Sequence, residues 1–135
     1  MLNDCLHWGS LLMVALLFGG MLLFSAGFAA FLFRYLPPED ARALIRKAFP
    51  LFYVFVMCSS GLAMVMSWWL DPLSAAALAF VMLTALAARQ VLMPAINRAT
   101  DSANRKSFLW LHGFSVMVTL GHIVLSALVL VHLAQ

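Results

Sequence analysis

The chain reads as an all-α integral membrane protein, a four-helix up-down bundle with both termini on the outer side. Three observations carry this reading. All eight Lys and Arg fall in or beside two short segments: Arg34, Arg42, Arg46 and Lys47 at the first, and Arg89, Arg98, Arg105 and Lys106 at the second. Long apolar stretches without a basic residue run between and around them. A chain threaded four times through a bilayer, with both basic loops left cytoplasmic, has this pattern. Second, 65% of the 135 residues are hydrophobic and only 10% are charged, where a soluble domain carries about 25%. Third, Pro37-Pro38 and Asp71-Pro72 break the apolar runs where a span must turn.

The first span covers about residues 6–33. Its 28 residues make about 42 Å of helix against about 30 Å of hydrocarbon, so it tilts or projects. Arg34 and Tyr35 mark its inner edge, and Pro37-Pro38 ends it. Met1–Leu6 holds Asp4 and no basic residue. It therefore lacks the basic start of a signal peptide and is expected to be a retained span.

Glu39 and Asp40 open the next helix at the positive end of its dipole. A short amphipathic stretch with Arg42 and Arg46 on one face is expected at the cytoplasmic interface. Pro50 either kinks the helix or starts the second span, about residues 49–70. Trp68 and Trp69 close it in the aromatic belt. The Asp71-Pro72 turn is so short that the second and third spans are antiparallel neighbours. From Leu73 to Ala88 is 16 residues, about 24 Å, too short to cross. The third span therefore continues to about residue 96 and carries Arg89 inside the inner part of the slab. A loop follows over Asn97–Ser107, and the fourth span covers about residues 108–134. The whole chain, 1–135, is one transmembrane domain. Small residues, among them Gly19, Gly20, Ser25, Ser59, Ala63, Gly113 and Gly121, mark expected contact faces.

Candidate chemistry is sparse. Cys5 and Cys58 differ in depth by more than about 10 Å, so two free thiols are expected, packing as small apolar groups. Histidine ligates haem or metal, or relays protons. His7 and His132 fall near the outer ends of their spans and match in depth. His122 lies near mid-membrane and His112 near the inner end. Histidines ten apart on the fourth span turn about 280° beyond whole turns and do not share a face. Neutral histidines bonded to Ser or Thr across the bundle are the plainer alternative. Arg89 snorkels, binds an anionic headgroup, or pairs with an acceptor. The many methionines read as adaptable filler rather than copper ligands. No carboxylate lies inside a span, and no HExxH, GxSxG or phosphate loop is present. The excess of three positive charges and the pI near 9.3 belong to membrane-flanking anchors, which leaves no surface for nucleic acid.

Several stretches resemble the small, uncharacterised four-span family that includes transmembrane protein 205 and bacterial relatives. They are Arg46-Lys47-Ala48-Phe49-Pro50-Leu51-Phe52-Tyr53, then Arg89, Met93-Pro94 and Asn97, then Phe108 to Ser115 with Leu111-His112-Gly113. The resemblance covers most of the chain in order and implies a four-helix membrane protein with no established reaction. It leads one to expect an asparagine soon after Ser115, where this chain has Thr119 and His122. The opening, His7-Trp8 through Gly19-Gly20, is similar to copper-resistance D-type and membrane protoporphyrinogen-oxidase first helices, and implies metal or haem. The expected role is an accessory, scaffolding or assembly subunit of the bacterial inner membrane, without a metal centre of its own. The alternative is a b-haem or copper-handling redox protein using His7, His122 and His132. Interface positions are Arg42, Arg46, Lys47, Arg89, Trp68 and Trp69, and polar span positions are Asn97, His112 and Ser115. The expected partners are the lipid bilayer and other membrane proteins or a second copy.

Overall fold

The computed structural model describes residues 1–135. It is 91% helical, without strands. Four helices are long and apolar enough to cross a membrane: α1 Leu2–Tyr35, α2 Pro38–Ser67, α3 Pro72–Asp101 and α4 Arg105–Leu133.

Local sequence sets each boundary. Leu36 is extended at φ −119°, ψ 150°, because the following proline excludes the helical region. Pro38 opens α2 where its missing N–H costs nothing, and Glu39 and Asp40 follow in the first turn. Residues 68–70 turn the chain, with Asp71 N donating to Ser67 O over 2.8 Å. α3 ends in a Schellman pattern around Ala103, whose φ is 53°. There Asn104 N donates to Ala99 O at 2.9 Å and Ala103 N to Thr100 O at 3.1 Å. Asn104 then caps α4, its side chain accepting from Ser107 N at 3.1 Å.

Two helices widen locally into π-helical turns, at Leu23–Phe28 in α1 and Ala88–Leu92 in α3. The second precedes Pro94, which has no N–H to return to the carbonyl four residues back. The first holds Gly27 and Ser25, whose Oγ donates to Met21 O at 2.6 Å and competes with the helix ladder.

The four helices close a ring, each packed on its sequence neighbours and α4 against α1. The core is Val14, Leu17 and Met21 of α1, Val56 and Ala63 of α2, Leu78, Val81 and Ala85 of α3, and Ile123 and Val129 of α4. Seven buried serines lie among them: Ser10, Ser59, Ser60, Ser67, Ser74, Ser115 and Ser126. Many further large apolar side chains point outward, with Trp110 76% exposed and Leu51 72%. A soluble bundle would cover such a surface with polar groups; an apolar exterior suits helices that need close contact rather than hydrophobic force to associate. Gly20 shows the closeness, since a Cβ there would strike the Phe55 ring. An aromatic cluster of Phe24, Phe28, Phe49, Phe52 and Tyr53 joins α1 to α2 below it.

Several expectations change. Of the two outcomes open at Pro50, a start of the second span is excluded, since α2 runs unbroken from Pro38 to Ser67 with Pro50 inside it. Trp68 and Trp69 lie just beyond that helix, in the turn. The loop expected at 97–107 shrinks to Ser102–Asn104, because Met93–Asp101 stays helical with Leu92, Ile96 and Ala99 turned inward and Arg98 outward. Cys5 and Cys58 are free but exposed, and do not pack the core. Gly19, Gly113 and Gly121 face open space, and so are not contact residues within the bundle.

Candidate functional site

Four helix ends meet at each end of the bundle. One end carries the α1–α2 and α3–α4 turns and all eight Lys and Arg. The other carries the start of α1, the α2–α3 turn and the end of α4, and there a polar cleft opens. It has a volume of about 350 Å³ and is lined by His7, Ser10, Ser67, Leu70, Asp71, Pro72, His132, Leu133 and Gln135.

Asp71 is its hub. As N-cap of α3 it accepts from Leu73 N at 3.2 Å and Ser74 N at 3.3 Å. Its Oδ2 also accepts from the Ser74 hydroxyl and lies 3.1 Å from His132 Nε2. One short carboxylate thus ties the α2–α3 turn to the end of α4. Partial burial alone would raise this carboxyl. The Ser74 hydroxyl and N–H, the His132 charge and the Leu73 N–H outweigh it and hold the carboxyl below its usual range. Beside it, the Ser10 and Ser67 hydroxyls meet at 2.5 Å, and Ser10 Oγ lies 3.4 Å from Ala63 O, joining α1 to α2. His7 is half-buried, with its ring edge-on to Trp8 at 5.7 Å.

The other expected positions fall elsewhere. His122 is buried between α3 and α4, its Nε2 2.7 Å from Thr84 Oγ1. The Thr84 hydroxyl donates to Phe80 O at 2.6 Å, which assigns the donor role in the first contact to the Nε2–H. His112 is exposed and stacks on Phe108 at 5.4 Å. Ser115 is buried, beside the Tyr53 hydroxyl, and Asn97 is half-buried. Arg46 grips Asp101 with two bonds of 2.7 and 2.9 Å, joining the two basic turns. Arg42 and Lys47 are exposed. Arg89 sits in the α3 π-helical turn, its Nε buried with no acceptor on the chain. The structure thus brings His7 and His132 to one cleft and leaves His122 on a separate seam. No three His, Cys, Asp or Glu side chains converge as a metal site.

Asp71, Ser10 and Ser67 were not singled out by sequence reasoning. Asp71-Pro72-Leu73-Ser74 is readable as a helix start, with a capping carboxylate before an N1 proline. Its reach to His132, about sixty residues away, leaves no local signal.

Fold and site together define a four-helix bundle, each helix long and apolar enough to cross a membrane, with a polar cleft at one end and a cationic collar at the other. Residues 12–105 match the family model described as a domain of unknown function (DUF4149), and the chain belongs to that family. No curated protein and no solved structure matches it.

Proposed function

We propose that this chain is a four-span protein of the bacterial cytoplasmic membrane, with both termini periplasmic. It acts without catalysis, as an accessory, scaffolding or assembly subunit of a membrane complex. One observation carries the reading: large apolar side chains, Trp110, Leu51 and Phe80 among them, stand exposed around the bundle's girth, outside a core that is itself apolar. Such a surface is covered only by lipid or by other apolar helices. The placement of eight cations at one end and none at the other supports the orientation. A kinship with transmembrane protein 205 belongs to the same proposal. It rests on the Arg46–Tyr53 stretch, Arg89, Met93-Pro94 and Asn97, all within the matched segment.

A haem or copper role draws on His7 and His132 lining one cleft. Against it, His132 Nε2 is engaged by Asp71 and His122 lies on another seam. The purified protein is expected to show no Soret band, and a strong one would replace the accessory reading.

Crosslinking in native membranes, followed by native gels in mild detergent, tests the role: co-migration with a larger assembly is expected, and a lone monomer overturns it. Orientation is read with an impermeant maleimide on a background lacking Cys5 and Cys58. Cysteines at positions 42 and 105 label from one side and one at 135 from the other. Labelling of 42 and 105 from opposite sides would end the four-span topology.

A further inference from the structure

We propose that Arg89 holds the phosphate of an anionic phospholipid, seated against the π-helical turn of α3 at the cationic end of the bundle. Three observations converge on it. First, the Arg89 Nε is buried and finds no acceptor on the chain. Arginine offers five donors, no acceptor, and keeps its charge in proteins. The Nε–H, shut off from solvent in a half-buried side chain, therefore needs an acceptor from outside the chain.

Second, the chain has none to give. Its five carboxylates are Asp4, Glu39, Asp40, Asp71 and Asp101. Asp4 and Asp71 belong to the opposite end, Glu39 and Asp40 to the first turn of α2, and Asp101 is held by both arms of Arg46. The anion comes from outside.

Third, the position suits a headgroup. About 20 residues of helix cross the hydrocarbon, so a slab entered at Leu73 ends near Leu92, one turn past Arg89. The π-helical turn packs against both α2 and α4. Arg89 lies between the level where Gly61 faces Met82 and that of the Arg46–Asp101 pair. Around it the same end carries eight Lys and Arg against Glu39, Asp40 and Asp101, an excess of five positive charges. Phosphate accepts the guanidinium fork through two parallel bonds, and basic sites between spans select acidic lipids in this way.

Native mass spectrometry of the full chain released from detergent tests the proposal with phosphatidylglycerol, phosphatidylcholine and inorganic phosphate as probes. The chain is expected to retain phosphatidylglycerol. Arg89→Gln should reduce that retention about tenfold, the effect of losing a charge-assisted pair. Arg98→Gln, an exposed cation of the same end, should leave it near the parent value. Equal retention by Arg89→Gln and the parent chain overturns the site. Equal retention of phosphatidylcholine overturns the anionic selectivity, and displacement of the lipid by inorganic phosphate overturns the lipid as its source. Should Arg89→Gln lose helicity, Arg89→Lys decides. It keeps the charge without the fork, so reduced retention supports the site and unchanged retention overturns it.

Discussion

The two ends of the bundle are held by opposite means. The cationic end carries eight Lys and Arg with Glu39, Asp40 and Asp101. Only one bonded ion pair links its two turns there, Arg46–Asp101, with side chains 48% and 58% exposed. The cleft end carries few ionisable groups, yet Asp71 alone makes four contacts with three residues on two segments, and Ser10 and Ser67 bond within the core. Charge density marks one end of the apolar helices. Bond density, which resists opening, is greatest where charge is scarce. An exposed pair gains little over its solvated ions, whereas a sheltered carboxylate with several donors has no equivalent in the unfolded chain.

The largest expected effect therefore belongs to the cleft end. Asp71→Ala removes the α3 cap and the α4 tie together, and should lower stability by about 1–2 kcal/mol in detergent, read as a drop in thermal midpoint. The Asp71 carboxyl is held low in the fold, so its contribution is complete above the ordinary carboxylate range and is lost as pH falls through the folded value. The parent chain should lose more stability on acidification than Asp71→Asn, and matching acid profiles would remove Asp71 from its place as hub. Ser10→Ala comes next, at about 0.5–1 kcal/mol, because it leaves the Ser67 hydroxyl without its partner. Replacing both serines should recover part of that loss, and strict additivity in the double-mutant cycle would mean that the pair is not coupled.

The same contrast explains what could be read from the chain beforehand. The basic turns announced themselves because hydrocarbon excludes cations, and Pro37-Pro38 and Asp71-Pro72 marked where helices break. The four-helix class followed from these. Depth counting also matched His7 with His132, which the fold brings to one cleft. The continuity of α2 through Pro50 was not legible, since proline at that point permits either a kink or a start. Neither π-helical turn leaves a periodic signature in so uniformly apolar a sequence. The glycines misled for a related reason: Gly20 meets Phe55 and Gly19 meets nothing, though they are adjacent. Only the rotation of α1 against its neighbours separates them. Ser10–Ser67 and Asp71–His132 are pairs across the bundle, settled by register and not by any local pattern.

Smaller effects belong to the cationic end. Ala103 holds φ 53° at the end of α3, a left-handed backbone that disfavours any Cβ. Ala103→Gly should raise stability by about 0.5–1 kcal/mol, seen as a higher thermal midpoint. A fall instead would mean that the Schellman turn is not the resting state of this loop.

Arg46→Ala should give the smallest change of all. The Arg46–Asp101 bonds have good fork geometry at 2.7 and 2.9 Å, and geometry alone would suggest a strong clasp between the two turns. Both side chains stand in the open, however, so water and salt compete for each charge and two long side chains lose freedom to make the pair. The shift in thermal midpoint should therefore be smaller than that of Ala103→Gly and should vanish at about 1 M salt, where screening acts over about 3 Å. Its sensitivity to salt distinguishes it from Asp71→Ala, whose loss of cap bonds persists at any ionic strength. An Arg46→Ala loss as large as that of Asp71→Ala, and indifferent to salt, would show that the cationic end is sheltered in the membrane and that the contrast between the ends runs the other way.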